Sequence, residues 1–149
     1  MNVLTMKYAE IGNYIGGQTI IPTTSKWLDV LSPTDGSLLS RVPMSSANDL
    51  DDAVKAAQKA FEGWSKMPIK ERVQVFFRYK TLLERDIAEL TYLVHEENGK
   101  TIDEARAEIE KSIELTEFAC AMPQLIQGEL LEVSKGVECR TERFPVGVV

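Results

Sequence analysis

Few residues in this chain have the types and spacing of a chemical site. Gly99-Lys100-Thr101 ends like a phosphate-cradling loop, in which backbone N–H groups hold phosphate oxygens and a lysine reaches them. That motif needs a glycine five positions before Gly99, where Val94 stands, so the tripeptide reads as a corner between two helices. Gly12, Gly16 and Gly17 do not form G-x-G-x-x-G and no helix follows them, which makes them hairpin residues. A nucleophilic cysteine needs a base or cation to hold its thiolate. Cys120 falls on an apolar stripe with no histidine near in sequence and is expected as a buried structural thiol, and Cys139 is equally unsupported. His95, near a helix end, fits a surface or dipole role better than catalysis. The glutamates from Glu104 to Glu117 have the spacing of a solvated helix face rather than of an acid/base pair. With no C-x-x-C pair and no ligand spacing around His95, neither a disulfide nor a zinc site is expected. Read alone, the chain offers no catalytic and no cofactor-binding residue.

The elements that would position any site are clearer. Asn98-Gly99 closes one helix and Thr101 with Glu104 forms a capping box that opens the next. From Ile102 the residues Ala105, Ile109, Ile113, Thr116 and Cys120 form an i, i+3/i+4 stripe facing a core, and the helix ends or kinks near Pro123. Upstream, Ser46 with Asp49 starts a helix over about Ala47 to Lys66, whose Leu50, Ala53, Val54, Ala57, Phe61 and Trp64 share a face. After Pro68 a second helix is expected over about Ile69 to Glu97, with Val73, Phe76, Phe77, Leu83, Ile87, Leu90 and Val94 inward.

Before the helices, Tyr14 to Ile21 around Gly16-Gly17 predicts one β-hairpin. Trp27–Leu31 and Leu38–Val42 around the Ser32-Pro33-Thr34-Asp35-Gly36 turn predict a second, with Pro43 as its stop. After Gly128 the pattern alternates: Leu131–Val133 and Val137–Phe144 around Ser134-Lys135-Gly136 predict an exposed, charged β-ribbon. Pro145-Val146-Gly147-Val148-Val149 has the composition of a buried parallel strand, and such a strand is expected to be followed by more chain. The fold class expected for these residues is α+β: two short hairpins, three long helices and a β-ribbon.

The 149 residues suit one domain, with 17 basic against 23 acidic residues and a net charge of −6. No Lys/Arg cluster interrupts the mixture, which argues against a nucleic-acid or anionic-membrane partner. The first residues, M-N-V-L-T-M-K-Y-A-E, lack an apolar core with a small-residue cleavage site, so a cytoplasmic protein is expected.

An ordered set of short motifs carries a resemblance. I-G-G at Ile15 to Gly17, S-P-T-D-G at Ser32 to Gly36, R-V-P at Arg41 to Pro43, A-V-K-A-A-Q-K-A-F-E-G-W at Ala53 to Trp64, Glu71-Arg72, E-E-N-G-K-T at Glu96 to Thr101 and R-F-P-V-G-V-V at Arg143 to Val149 follow one another. Together they resemble the N-terminal part of the NAD(P)-dependent aldehyde dehydrogenase superfamily, over roughly Ile11 to Val149 and about the first third of a member. Glu117 to Leu130 is most similar to the methylmalonate-semialdehyde dehydrogenase branch, which is CoA-acylating.

The resemblance implies an α/β parent fold and a reaction in which a cysteine thiolate attacks an aldehyde. Hydride then passes from the thiohemiacetal to NAD or NADP, and water or CoA resolves the thioester. Its asparagine, glycine-rich turn and nucleophilic cysteine all follow the P-V-G-V-V segment, so no cofactor is expected on these residues alone. It implies three parts: 1–128 within the cofactor-binding domain, 129–144 as the β-arm of an oligomerisation domain, and 145–149 as the first strand of a Rossmann-like core. It further implies a homo-oligomer, an aldehyde substrate, a substrate-side position at Lys111 where the branch carries arginine, and a monovalent cation near Val30 and Glu97. Lysine keeps the charge but loses the bidentate fork. Isolated, the chain would bare apolar helix faces and is expected to self-associate or rearrange its termini. A non-catalytic assembly module or a truncated gene product is the alternative reading.

Overall fold

The computed structural model describes residues 6–24 and 26–149. The leader-free reading of the first residues concerns in part positions 1–5, which lie outside the described residues, as does Ser25.

Four short strands precede the helices. β1 (Asn13–Ile15) and β2 (Gln18–Ile20) pair antiparallel through Gly16 and Gly17, whose φ values of 60° and 85° are those of a two-residue turn that only glycine adopts readily. β3 (Trp27–Leu31) pairs antiparallel with β4 (Leu38–Pro43), with a bulge between Val30 and Leu31. Their connection is held by Asp35, whose carboxylate accepts from the Ser37 N–H at 3.0 Å and its hydroxyl at 2.7 Å. β4 is the most buried strand: Leu38, Leu39 and Ser40 are all covered, so both of its faces are. Residues 7–11 run beside it, with the Tyr8 N–H donating to Leu39 O at 2.8 Å and the Ile11 N–H to Arg41 O at 2.9 Å.

The helices start where their caps dictate. α1 (Ala47–Trp64) opens on the Ser46/Asp49 capping box, in which Asp49 Oδ2 accepts from the Ser46 N–H at 2.6 Å. None of its residues is fully buried, and its apolar face meets chiefly β1 and the C-terminal residues. The single second helix expected from the pattern is two: α2 (Ile69–Arg85) and α3 (Ile87–Asn98), interrupted at Asp86, whose φ and ψ are −101° and 14°. The Arg85 guanidinium grips the Asp86 carboxylate through two bonds, at 2.7 and 2.6 Å. The apolar period continues across the break because α2 and α3 both pack on α4 (Ile102–Cys120). Along α4, Ala105, Ile109 and Thr116 are buried as the stripe requires. The core of the helical part is small: Val73 and Leu83 of α2 with Ala105 and Ile109 of α4.

Pro123 sits in the first turn of a short α5 (Met122–Leu125), where its missing N–H has no partner to lose. β5 (Glu129–Ser134) and β6 (Val137–Thr141) then form an antiparallel ribbon exposed along its whole length. The last residues do not form the expected buried strand: Val146 and Val149 are 89% and 107% exposed. A parallel strand needs a neighbour, and among the described residues no strand lies beside this segment. Gly147, at φ +106°, also breaks the extended run, and with Val148 it lies against Ala57, Ala60, Phe61 and Trp64 of α1. Among the described residues no helix is long and apolar enough to cross a membrane.

Candidate functional site

The end of α3 and the β3–β4 turn meet at Gly99. At φ +68° it ends α3 in the left-handed region, its N–H donating to His95 O at 2.9 Å. A Cβ on it would stand 3.2 Å from Pro33 Cγ, so the corner presses on the Ser32–Gly36 turn. Thr101 and Glu104 then open α4 by the expected capping box, with Glu104 Oε2 accepting from the Thr101 N–H at 3.0 Å and its hydroxyl at 2.8 Å. Lys100 pairs with Glu108 across the first turns of α4, and its carbonyl faces His95 Nδ1. Gly99-Lys100-Thr101 is thus a helix–helix corner with its lysine engaged, as its sequence context predicts.

At this corner the turn that follows β3, the strand of Val30, meets the end of α3, the helix of Glu97. Val30 is half-buried on β3 opposite Ser40, beside the bulge, and Glu97 is exposed in the last turn of α3. Among the described residues no group of three or more His, Cys, Asp or Glu could hold a metal ion. Lys111 lies elsewhere, about two and a half turns along α4. Its ammonium donates to Glu114 Oε2 at 2.6 Å, and both side chains are exposed.

The thiols differ from expectation in one respect. Cys120 is half-buried rather than buried and lines a cavity with Phe77, Lys80, Thr81, Glu84 and Glu117. α4 ends there, so fewer neighbours cover the last position of its stripe. Lys80 is held by Glu84 at 2.5 Å and Glu117 at 3.2 Å, and these bonds, Glu84 first, raise its pKa. Cys139 is exposed on β6.

A polar cluster unforeseen from the sequence joins the N-terminal segment to α3. Lys7 donates to Glu96 and, at 2.9 Å, to Tyr92 Oη, while Tyr8 Oη donates to Glu96 Oε2 at 2.6 Å. The Lys7 ammonium also lies 5.2 and 5.1 Å from the ring centres of Tyr8 and Tyr92. Tyr92 and Glu96 are one helical turn apart, a visible i, i+4 pair, but nothing local points to a lysine 89 positions earlier.

This cluster sets a pH dependence. The Lys7 hydrogen bond, then that of Tyr8, hold the Glu96 carboxyl below its ordinary 4.5. A depressed carboxyl stabilises the fold above its unfolded value and loses that contribution as pH falls through the lower folded value. Lys7, raised chiefly by Glu96 and then Tyr92, acts in the opposite sense: its contribution is complete below 10.5 and is lost as pH rises through the folded value. Glu96→Gln should therefore flatten the fall in thermal midpoint between neutral and acid pH. An acid limb as steep as the parent's would show that Glu96 does not titrate against this cluster.

Two capped helix starts, a glycine corner seated on a β-turn and an exposed ribbon define a class. Residues 20–149 match the aldehyde dehydrogenase family, and the chain belongs to that family. It is 43% identical over 138 residues to a malonate-semialdehyde dehydrogenase of Bacillus pumilus, covering 92% of this chain and 28% of that protein. It is 42% identical over 149 residues to malonate-semialdehyde dehydrogenase 2 of Bacillus mycoides, covering 99% and 30%. Among solved structures, the methylmalonate-semialdehyde dehydrogenase of Oceanimonas doudoroffii matches with a TM-score of 0.86 at 33% identity, over 93% of this chain and 28% of that one. A Sinorhizobium meliloti methylmalonate-semialdehyde dehydrogenase solved with NAD matches with a TM-score of 0.88 at 30% identity, over 96% and 29%. The chain spans less than a third of the length of the curated relatives it matches.

Proposed function

We propose that this chain is the N-terminal part of an NAD-dependent malonate- or methylmalonate-semialdehyde dehydrogenase and serves it as scaffold rather than as chemistry. The observation that carries this reading is the pairing of about 40% identity along almost the whole chain with coverage of under a third of the relatives. NAD is favoured over NADP by the nucleotide in the S. meliloti relative. CoA as acyl acceptor rests on the semialdehyde names and on the branch resemblance of Glu117 to Leu130. A cytoplasmic location suits the two free thiols.

In this reading residues 1–128 buttress the cofactor-binding domain, 129–144 form an oligomerisation arm and 145–149 begin its core. The fully exposed β5–β6 ribbon, whose two edges are unpaired among the described residues, supports an arm that pairs with another chain and hence a homo-oligomer. That ribbon is also what favours the alternative, an assembly module without catalysis. A register shift between Val30 and Leu31, with the turn after β3 meeting the end of α3 at Gly99, supports a monovalent cation held by main-chain oxygens near Val30 and Glu97. Lys111 supplies an exposed cation for a substrate carboxylate, in exchange for its bond to Glu114.

A chimera tests this reading. The chain replaces the matching segment of the B. pumilus relative, and oxidation of malonate semialdehyde with NAD is measured for the chimera and for the 149 residues alone. Activity in the chimera and none in the isolated chain is expected. Turnover by the isolated chain, or a folded, NAD-binding chimera that is inert, would overturn the proposal. In the active chimera Lys111→Ala should raise KM for the carboxylate-bearing aldehyde about tenfold, as loss of one charge-assisted bond implies, and leave an uncharged aldehyde unaffected.

A further inference from the structure

Four arginines of this chain hold carboxylates: Arg41, Arg85, Arg106 and Arg140. Arg72 and Arg143 instead line one cavity of about 180 Å³, whose remaining walls are Ile126, Phe144 and Pro145. Among the described residues no acidic one lines it. Of the carboxylates adjacent to the two arginines in sequence, Glu142 is taken by Arg140 at 3.2 Å, and Glu71 is exposed on α2 and does not line the cavity. Arg72 stands in the first turn of α2 beside buried Val73, and its Nε is buried with no hydrogen-bond partner among the described residues.

This arrangement is incomplete as a protein-only site. A guanidinium cannot shed its charge by losing a proton, so burial of Arg72 Nε is not relieved by a pKa shift. Arg143 is exposed and Arg72 half-buried, and the two like charges repel across one space whose other three walls are apolar and offer them no counter-charge. One anion between them would accept from both forks by charge-assisted bonds and remove both penalties. The space is several times the volume of a water molecule, enough for one oxyanion and too small for a nucleotide.

We propose that the Arg72–Arg143 cavity binds a single small oxyanion of the phosphate or carboxylate type. The chain as a whole carries a net charge of −6, so attraction of such an ion is local to this cavity and not a property of the surface. The two sources differ in shape: phosphate offers oxygens to both guanidiniums at once, whereas a carboxylate grips one fork and touches the other.

The 149-residue chain, labelled with nitrogen-15, is titrated with inorganic phosphate in one arm and acetate in another, against sodium chloride at matched ionic strength. The Arg72 Nε–H resonance should shift along a saturating curve with phosphate, acetate or both, and stay in place with chloride. The arm that saturates at lower concentration identifies the chemistry. In Arg143→Gln, whose segment has no strand pairing to lose, the same curve should move to at least tenfold higher concentration. Absence of saturation in both arms would overturn the proposal, as would an Arg143→Gln curve equal to the parent's.

Discussion

Leu39→Ala should lower the unfolding free energy of this chain by about 2–5 kcal/mol, the range for trimming a fully buried leucine where the surroundings cannot close in. Leu39 is 2% exposed, and its neighbours Leu38 and Ser40 are as well covered, so β4 is enclosed on both faces. One side is tied down by residues 7–11, through Tyr8 N–H to Leu39 O and Ser40 Oγ donating to Ala9 O at 2.6 Å. Collapse into the void would have to break these bonds. A domain of this size has on the order of 5–15 kcal/mol in all, so the loss is a large fraction of it. Urea unfolding followed by circular dichroism should show an earlier midpoint with an unchanged slope. Leu50→Ala, at a position 66% exposed on α1, is the control and should change stability by no more than about 0.5 kcal/mol. Equal effects of the two would mean that β4 is not the centre of the core.

Gly128→Ala has the second large effect, and it is local. A Cβ at Gly128 would stand 2.2 Å from the carbonyl oxygen of Thr141, a distance no real contact reaches. Glu129 and Thr141 are the first pair of the ribbon, so the absent side chain is what lets β5 and β6 close at their base. The oxygen belongs to the backbone and cannot swing aside as a side chain would. Forcing the strands apart should cost about 1–3 kcal/mol, as overpacking does. Because the ribbon shares no core with the helices, the cost should appear as local opening. Amide exchange across residues 129–141 should quicken about tenfold or more, since each 1.4 kcal/mol is a factor of ten. Exchange in α2 and α4 should be unaltered. Unchanged exchange in the ribbon would show that the close approach at Gly128 is not made.

How much was legible beforehand depends on how far apart the interacting residues lie. Ser46 with Asp49, Thr101 with Glu104 and the positive φ of Gly99 are each decided within one turn of chain, and all three lie where their residue types place them. The hairpins follow from Gly16-Gly17 and Ser32–Gly36 for the same reason. The break at Asp86 escaped the pattern, because the residues on either side still present apolar groups to one partner, α4, and periodicity registers the facing side but not the path of the axis. The Val146–Val149 run has the composition of a buried strand, and it lies unpaired because a strand requires a neighbour to receive its hydrogen bonds and none stands beside it among the described residues.

The family was readable from ordered short motifs, since each motif is a turn, cap or helix face that local chemistry specifies. Only the tertiary structure joined Lys7 to Glu96, seated Gly99 on Pro33 and brought Arg72 and Arg143 to one cavity. These pairings span many tens of residues of chain, and which side chains meet across such distances is decided by how the N-terminal segment, the β3–β4 turn and the helices pack, not by any spacing along the sequence.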